Sequence, residues 1–206
     1  MIWNINEERP TVEVATLNHS EEDKEFFNHY FQHNFLWTYI MGSDCKYFCS
    51  DYTTEHNYVQ QSPIVQRIWM KLADAFDIHP CSQVGRCYLL GQTENLDGPW
   101  HDDYDRDENP NIRTIVYYPI ANPHRQHRGT AFEIGDEEQE YAYQQDTALF
   151  FDASCPHRGY STTSRKSLRV SLVFQCIDVN TIHNAPFVTT AGNDERLDGV
   201  ISPIIP

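Results

Sequence analysis

A mostly β fold, an antiparallel sandwich or barrel carried behind N-terminal helices, is what this sequence predicts, and three observations predict it. From Gln83 onward, short β-rich segments recur between turn signals. Before about residue 80 the apolar residues recur at helical spacing instead. At 206 residues the chain suffices for one domain with a substantial core and is too short for two comfortable ones.

Taken in order, Glu21 to Ile40 reads as a first helix, rich in aromatic residues (Phe26, Phe27, Tyr30, Phe31, Phe35, Trp37). Ser62-Pro63 opens a second, with serine suited to the N-cap and proline to the first helical position. Ile64, Val65, Ile68, Trp69, Leu72 and Phe76 follow at helical spacing, and His79-Pro80 marks the stop. The predicted strands are Val84 to Leu90, Ile112 to Ile120, Thr130 to Ile134, Thr147 to Phe151 and Ser167 to Ile177. In the last, Leu168, Val170, Leu172 and Phe174 face one way and Arg169, Ser171, Val173 and Gln175 the other. The chain thus divides into a helical support region (1–80), a β core (83–178) and an extended C-terminal cover (179–206).

Composition narrows the function classes. Thirty acidic residues against 15 basic give a net charge of −15, a surface that repels phosphate backbones, so no nucleic-acid partner is expected. No apolar run reaches the ~18–20 residues of a membrane span. The N-terminus has neither a basic start nor an apolar run, so no signal peptide and a cytoplasmic location are expected. None of the six cysteines forms a Cys-x-x-Cys pair, and reduced thiols are the expectation.

His101-Asp102-Asp103, followed by Pro156-His157, is the candidate chemical centre. A lone His-x-Asp/Glu occurs about once or twice by chance in such a composition. His19-Ser20-Glu21 is a decoy of this kind, better read as a helix start. Context lifts His101-x-Asp103 above it: a turn-rich segment precedes the pair, and His157 follows the apolar strand Ala148-Leu149-Phe150-Phe151. In an antiparallel barrel these strand ends meet at one mouth. Two histidines and one carboxylate with open positions form the ligand set of non-haem Fe(II) oxygenases. His29 and His33, with Glu25 one turn earlier, read as a half-buried helix face, and His124 and His127, with Arg125 and Arg128, as a solvated turn.

The residues over 83–178 resemble the prolyl-hydroxylase-like branch of the 2-oxoglutarate/Fe(II)-dependent oxygenases. The resemblance rests on Cys87-Tyr88 leading into His101-x-Asp103, on Arg113 through Tyr118, on Gly129-Thr130-Ala131-Phe132, on Thr147 through Phe151 with Pro156-His157, and on Arg169-x-Ser171. It implies a double-stranded β-helix (jelly-roll, cupin-like) barrel with supporting helices. It also implies Fe(II) held by His101, Asp103 and His157, with 2-oxoglutarate and O2 as co-substrates and ascorbate as support. The far carboxylate of 2-oxoglutarate needs a fixed cation, and an arginine fork binds carboxylate bidentately. Arg169 is the preferred anchor, with Arg165 in a serine- and threonine-rich loop as rival, because His157 to Arg169 spans twelve positions. Tyr118 and Ser171 add hydroxyl donors, and Tyr88 sits nearer the iron, with core packing the alternative for each tyrosine.

The implied reaction hydroxylates an unactivated C–H of an amino-acid-type substrate, free, small-molecule or peptidyl such as proline, and releases succinate and CO2. Desaturation or cyclisation uses the same ligands. A halogenase of this superfamily lacks the carboxylate that Asp103 retains here. Against an enzyme stands a jelly-roll module that binds metal or ligand without turnover. Asp105, Asp107 and Glu108, interrupted by Arg106 and Arg113, form either an acidic lip or a solvated loop, and Trp100 either walls the pocket or packs in the core.

Overall fold

The computed structural model describes residues 11–33, 37–41, 46–51, 62–79, 82–105 and 111–177. The order along them is β1 (Glu13–Thr16), α1 (Glu21–His33), β2 (Thr38–Met41), β3 (Lys46–Asp51), α2 (Pro63–Ala75), β4 (Gln83–Gln92) and β5 (Ile112–Tyr117). After a 3-10 turn at Pro123–Arg125 come β6 (Thr130–Ile134), β7 (Glu137–Tyr141), β8 (Thr147–Asp152), β9 (His157–Gly159) and β10 (Arg169–Ile177).

Both helices begin where side chains satisfy their first amides. The Asp23 amide donates to Ser20 Oγ at 3.1 Å, and Glu21, Glu22 and Asp23 crowd the first turn, where carboxylates suit the helix dipole. The Val65 amide donates to Ser62 Oγ at 3.4 Å, with Pro63 at the first helical position. α1 ends at His33, short of the expected Ile40, because the β-branched and aromatic run Thr38-Tyr39-Ile40-Met41 pairs with β3. The region expected to be helical support therefore also carries β1, β2 and β3. The expected cover, 179–206, lies outside the described residues.

Seven strands form one antiparallel sheet in the order β1-β8-β5-β10-β4-β3-β2, and three form a second in the order β7-β6-β9. Directly paired residues share a face, so register fixes what each face carries. On one face of the large sheet Phe174 and Phe150 meet Trp69 and Phe76 of the α2 segment, with ring centroids 5.5 and 5.1 Å apart. Val65, Ile68 and Leu72 are buried against the same core. On the other face Phe151 packs edge-on against Phe132 of β6, 4.8 Å between centroids. The two sheets thus lie face to face. This is the coarse form of the expected architecture; among the described residues no pairing closes the sheets into one barrel.

A buried clasp ties the entry to α1 onto the large sheet. The His19 amide donates to Asp146 Oδ2 at 2.8 Å, the His19 ring Nδ1 lies 2.5 Å from Oδ1, and Tyr117 donates to Oδ1 at 3.1 Å. The decoy histidine is thereby accounted for. Among the described residues Cys49, Cys87, Cys155 and Cys176 are free thiols, and no helix is long and apolar enough to cross a membrane.

Candidate metal centre

Segment 98–104 runs antiparallel beside β9, and that pairing brings the three sequence-predicted ligands together. The His101 amide donates to the His157 carbonyl at 3.1 Å, and the His157 amide to the His101 carbonyl at 2.8 Å. The Asp103 amide donates to Ala153 O at 2.8 Å. One ligand atom from each of His101, Asp103 and His157 then lies within 4.8 Å of the others, the one such group of three or more found among the described residues. His101 Nε2 is 3.9 Å from Asp103 Oδ1, and His157 Nε2 is 3.9 Å from Asp103 Oδ2.

The surrounding contacts prepare these atoms for a cation. His101 Nδ1 lies 3.0 Å from Pro99 O and His157 Nδ1 2.9 Å from Cys155 O. A backbone carbonyl can only accept, so each Nδ1 carries the proton and each Nε2 presents its lone pair to the centre. Burial drives the His157 imidazole below its ordinary range, with His101 adding to the fall and Asp103 opposing it. The neutral, ligating form is thereby favoured. Asp103 accepts from Thr114 Oγ1 at 2.5 Å, and its side chain is 7% exposed. Among the described residues no lysine or arginine pairs with it. A buried carboxylate without a cation, facing two imidazole lone pairs, suits a divalent metal. Fe(II) fits this set of two imidazoles and one carboxylate, which would leave it room to take further ligands.

Register places Thr114 on the metal-facing side of β5. Thr114 pairs with Gln175 of β10, while Arg113 alternates to the opposite face and pairs with Asp152 at 2.9 Å. Arg113 is therefore no part of an acidic lip. Asp105 is exposed, and Arg106, Asp107 and Glu108 lie outside the described residues. Tyr88 shares the metal-facing side through its partner Val173. Burial first, then the Asp103 carboxylate, push its phenol well above the usual range, so it stays protonated near the centre. Trp100 packs against the Arg158 guanidinium, 4.7 Å from its ring centroid.

Arg169 is 1% exposed and makes no ion pair among the described residues. Nε donates to Arg128 O at 2.9 Å, Nη1 to Gln92 Oε1 at 2.6 Å, and Nη2 to Gly129 O and Thr130 Oγ1, both at 3.2 Å. Four of its five N–H groups meet neutral acceptors, and no described residue supplies a counter-ion to its charge. Tyr118 Oη lies 2.8 Å from Thr130 Oγ1, and the Tyr118 and Tyr143 rings stack 4.3 Å apart beneath the guanidinium. Ser171 Oγ is buried on the same strand face with no hydrogen-bond partner. Arg165 is instead 85% exposed and paired with Glu94 at 2.7 Å.

His127 corrects an expectation. His124 is exposed as expected of a solvated turn, but His127 is buried, its Nε2 2.6 Å from Ser167 Oγ and its ring edge-on to Tyr143. Burial, with the nearby Arg169 charge, pushes it down to about 4, so it is neutral beside the guanidinium. His29 and His33 are exposed, not half-buried. Sequence reasoning missed Thr114, Gln92 and Thr130. Strand parity carried a signal for the first two: Thr114 shares parity with Tyr118, and Gln92 with Tyr88.

The rungs between β6 and β9 measure the distance between the two ends of the site. Thr130, which touches Arg169, pairs with Gly159; Phe132, two residues on, pairs with the candidate ligand His157. Two residues of strand span about 7 Å.

No protein-family model matches this sequence. No curated protein matches it. Solved structures match its fold. A prolyl-4-hydroxylase from Pseudomonas putida superposes with a TM-score of 0.57 at 9% identity, covering 81% of this chain and 91% of that one. The Trichoplax adhaerens prolyl hydroxylase, solved with a hypoxia inducible factor oxygen degradation domain peptide fragment, gives 0.60 at 8% identity over 85% and 87%. The non-heme alpha ketoglutarate dependent epimerase SnoN from nogalamycin biosynthesis gives 0.62 at 10% identity over 96% and 92%. At the level of fold, the superfamily resemblance carried by the sequence motifs holds.

Proposed function

We propose that this chain, which has the fold of the 2-oxoglutarate/Fe(II)-dependent oxygenases, is itself such an enzyme, a single catalytic unit built on the double-stranded β-helix plan. The observation that carries the proposal is the pairing of a group of three potential metal ligands with a buried arginine, which has no ion-pair partner among the described residues, about two strand rungs away. That spacing suits a five-carbon dicarboxylate chelating the metal at one end and reaching a guanidinium at the other. His101, Asp103 and His157 would hold Fe(II), and Arg169 the distal carboxylate, with the free hydroxyl of Ser171 as a further donor.

Fe(II) with bound 2-oxoglutarate would supply the reduction of O2, coupled to release of succinate and CO2, with ascorbate keeping the iron reduced. The chain's own residues bind and orient. Thr114 fixes the carboxylate of Asp103, the two carbonyl-bonded Nδ1–H groups fix both imidazoles, and Tyr118 braces Thr130 beneath the arginine. Phe132 and Phe151 pack against the His157 ring and keep water from that side. The residues hold the co-substrate; the iron carries the difficult chemistry.

The primary substrate we infer is an amino-acid-type molecule, free or peptidyl, hydroxylated at an unactivated C–H, as the prolyl hydroxylases among the fold neighbours suggest by analogy. A same-site reaction on a small metabolite is the second reading, favoured by the alignment of the epimerase SnoN over 96% of this chain. A binding module without turnover is disfavoured, since open metal positions serve no purpose there.

Anaerobic titration with Fe(II) and 2-oxoglutarate is expected to give a charge-transfer absorbance. Succinate is expected to form once O2 and an accepted substrate are added. No 2-oxoglutarate binding, with no succinate across a broad panel of amino acids, peptides and small metabolites, would overturn the proposal.

A further inference from the structure

Gln92, on β4, is buried at 2% exposure and makes three hydrogen bonds that fix which way its amide points. Nε2 donates to Leu96 O at 2.8 Å and to Gly159 O at 3.1 Å, so that end of the amide must be the donor. Oε1 is therefore turned to Arg169 Nη1, which donates to it at 2.6 Å. The close fit extends to Gly159, where an added Cβ would stand 3.0 Å from Gln92 Oε1 and 3.3 Å from Arg169 Nη1. A buried arginine is ordinarily paired with a carboxylate. Here the position beside Nη1 holds the one side chain with glutamate's reach and no charge.

We propose that Gln92 is a positioning residue for the distal carboxylate of 2-oxoglutarate: a neutral acceptor that orients the Arg169 guanidinium and leaves its charge for the ligand. The inference rests on the function proposed above and deepens it. A glutamate at this position would be repelled by the carbonyls of Leu96 and Gly159 and drawn to Arg169, forming an internal ion pair in competition with the co-substrate. A leucine would lose the same two donor bonds and the acceptor, but would add no charge. Both variants lose the two donor bonds; only Gln92→Leu also loses the acceptor, and only Gln92→Glu adds a charge.

The test compares Gln92→Glu and Gln92→Leu by anaerobic Fe(II) titration, followed by titration with 2-oxoglutarate or with oxalate, which chelates the metal but has no distal carboxylate. Thermal midpoints record folding. The expected result is 2-oxoglutarate affinity about 30-fold weaker in Gln92→Glu than in Gln92→Leu, with oxalate affinity alike in both. Equal 2-oxoglutarate affinities in the two variants, or an equal loss of oxalate binding in Gln92→Glu, would overturn the inference and mark Gln92 as merely structural. Should Gln92→Glu not fold, Gly159→Ala, which crowds the Gln92–Arg169 contact, is expected to weaken 2-oxoglutarate and spare oxalate; equal effects on both overturn the inference. Absence of 2-oxoglutarate binding in the unsubstituted protein would instead refute the proposed function itself.

Discussion

Thr114→Val tests whether the carboxylate of the metal centre is held by the strand beneath it. The Thr114 hydroxyl donates to Asp103 Oδ2 at 2.5 Å, and Thr114 is fully buried, so valine replaces the donor with a methyl in nearly the same volume. A hydrogen bond to a charged group contributes about 1.5–3 kcal/mol, equivalent to roughly 10- to 150-fold in an equilibrium constant. The loss falls on the metal complex. In the complex Asp103 must hold one orientation toward the ion, and without the Thr114 donor that orientation loses its support. Metal affinity is therefore expected to fall about 10- to 100-fold, the usual size of such outer-shell effects. Anaerobic calorimetric titration with Fe(II), or Co(II) as an air-stable probe, measures it, and circular dichroism confirms the fold. A Thr114→Val protein that folds normally and binds metal within about two-fold of the unsubstituted chain would refute the account of how Asp103 is positioned.

Three other outcomes follow from the structure. His157→Ala is expected to abolish Fe(II) binding, and Arg169→Ala to leave it intact while weakening 2-oxoglutarate at least about 30-fold; Arg165→Ala, at an exposed side chain, changes neither, as parallel metal and co-substrate titrations will show. Gly129→Ala would drive a Cβ to 1.6 Å from Tyr141 O, so the backbone that offers Gly129 O to Arg169 must shift; a stability loss of about 3 kcal/mol or more is expected in urea unfolding. His127, pushed from 6.5 down to about 4, takes up its proton in the unfolded chain before the folded one, so stability is fully present above pH ~6.5 and declines as pH falls toward 4. His127→Asn should flatten that segment of the stability–pH curve, and an unchanged slope would contradict burial of a neutral ring.

The candidate centre was legible because a His-x-Asp pair in a turn-rich segment and a later histidine beside an apolar strand stand out from their surroundings. Arg169 was legible because β10 alternates visibly and a charge inside such a strand needs a reason. The supporting residues were harder to see. A threonine in a strand is ordinary, and nothing local to Arg113-Thr114-Ile115 says which carboxylate the hydroxyl meets; the answer is Asp103, eleven residues earlier, in a segment that folds back beside β9. β7 escaped notice because Glu137, Glu138 and Glu140 give it the composition of a loop, and it is a strand only through its pairing with β6. His127 was misread for a similar reason: local Asn-Pro chemistry favours a turn, and the ring is buried by Tyr143 and Ser167, distant in sequence.

The long connection from His157 to Arg169 ties these points together. Its extra length carries Arg165 outward to Glu94, away from the position proposed for the distal carboxylate, and also supplies cover for Arg169. Thr162 bridges to His127, the Thr163 amide donates to Gln126 O at 2.7 Å, and Ser167 holds His127 Nε2. The loop thus seats a neutral imidazole, not a carboxylate, beside the guanidinium. With Gln92 on one side, backbone carbonyls behind and aromatic rings beneath, every neighbour of Arg169 found here is uncharged. Burying an arginine in this way is costly unless an anion joins it. An acidic chain, with 30 carboxylate side chains against 15 basic ones, had ample means to supply that anion from within. That no described residue places one there is the physical reason to expect it from a bound dicarboxylate.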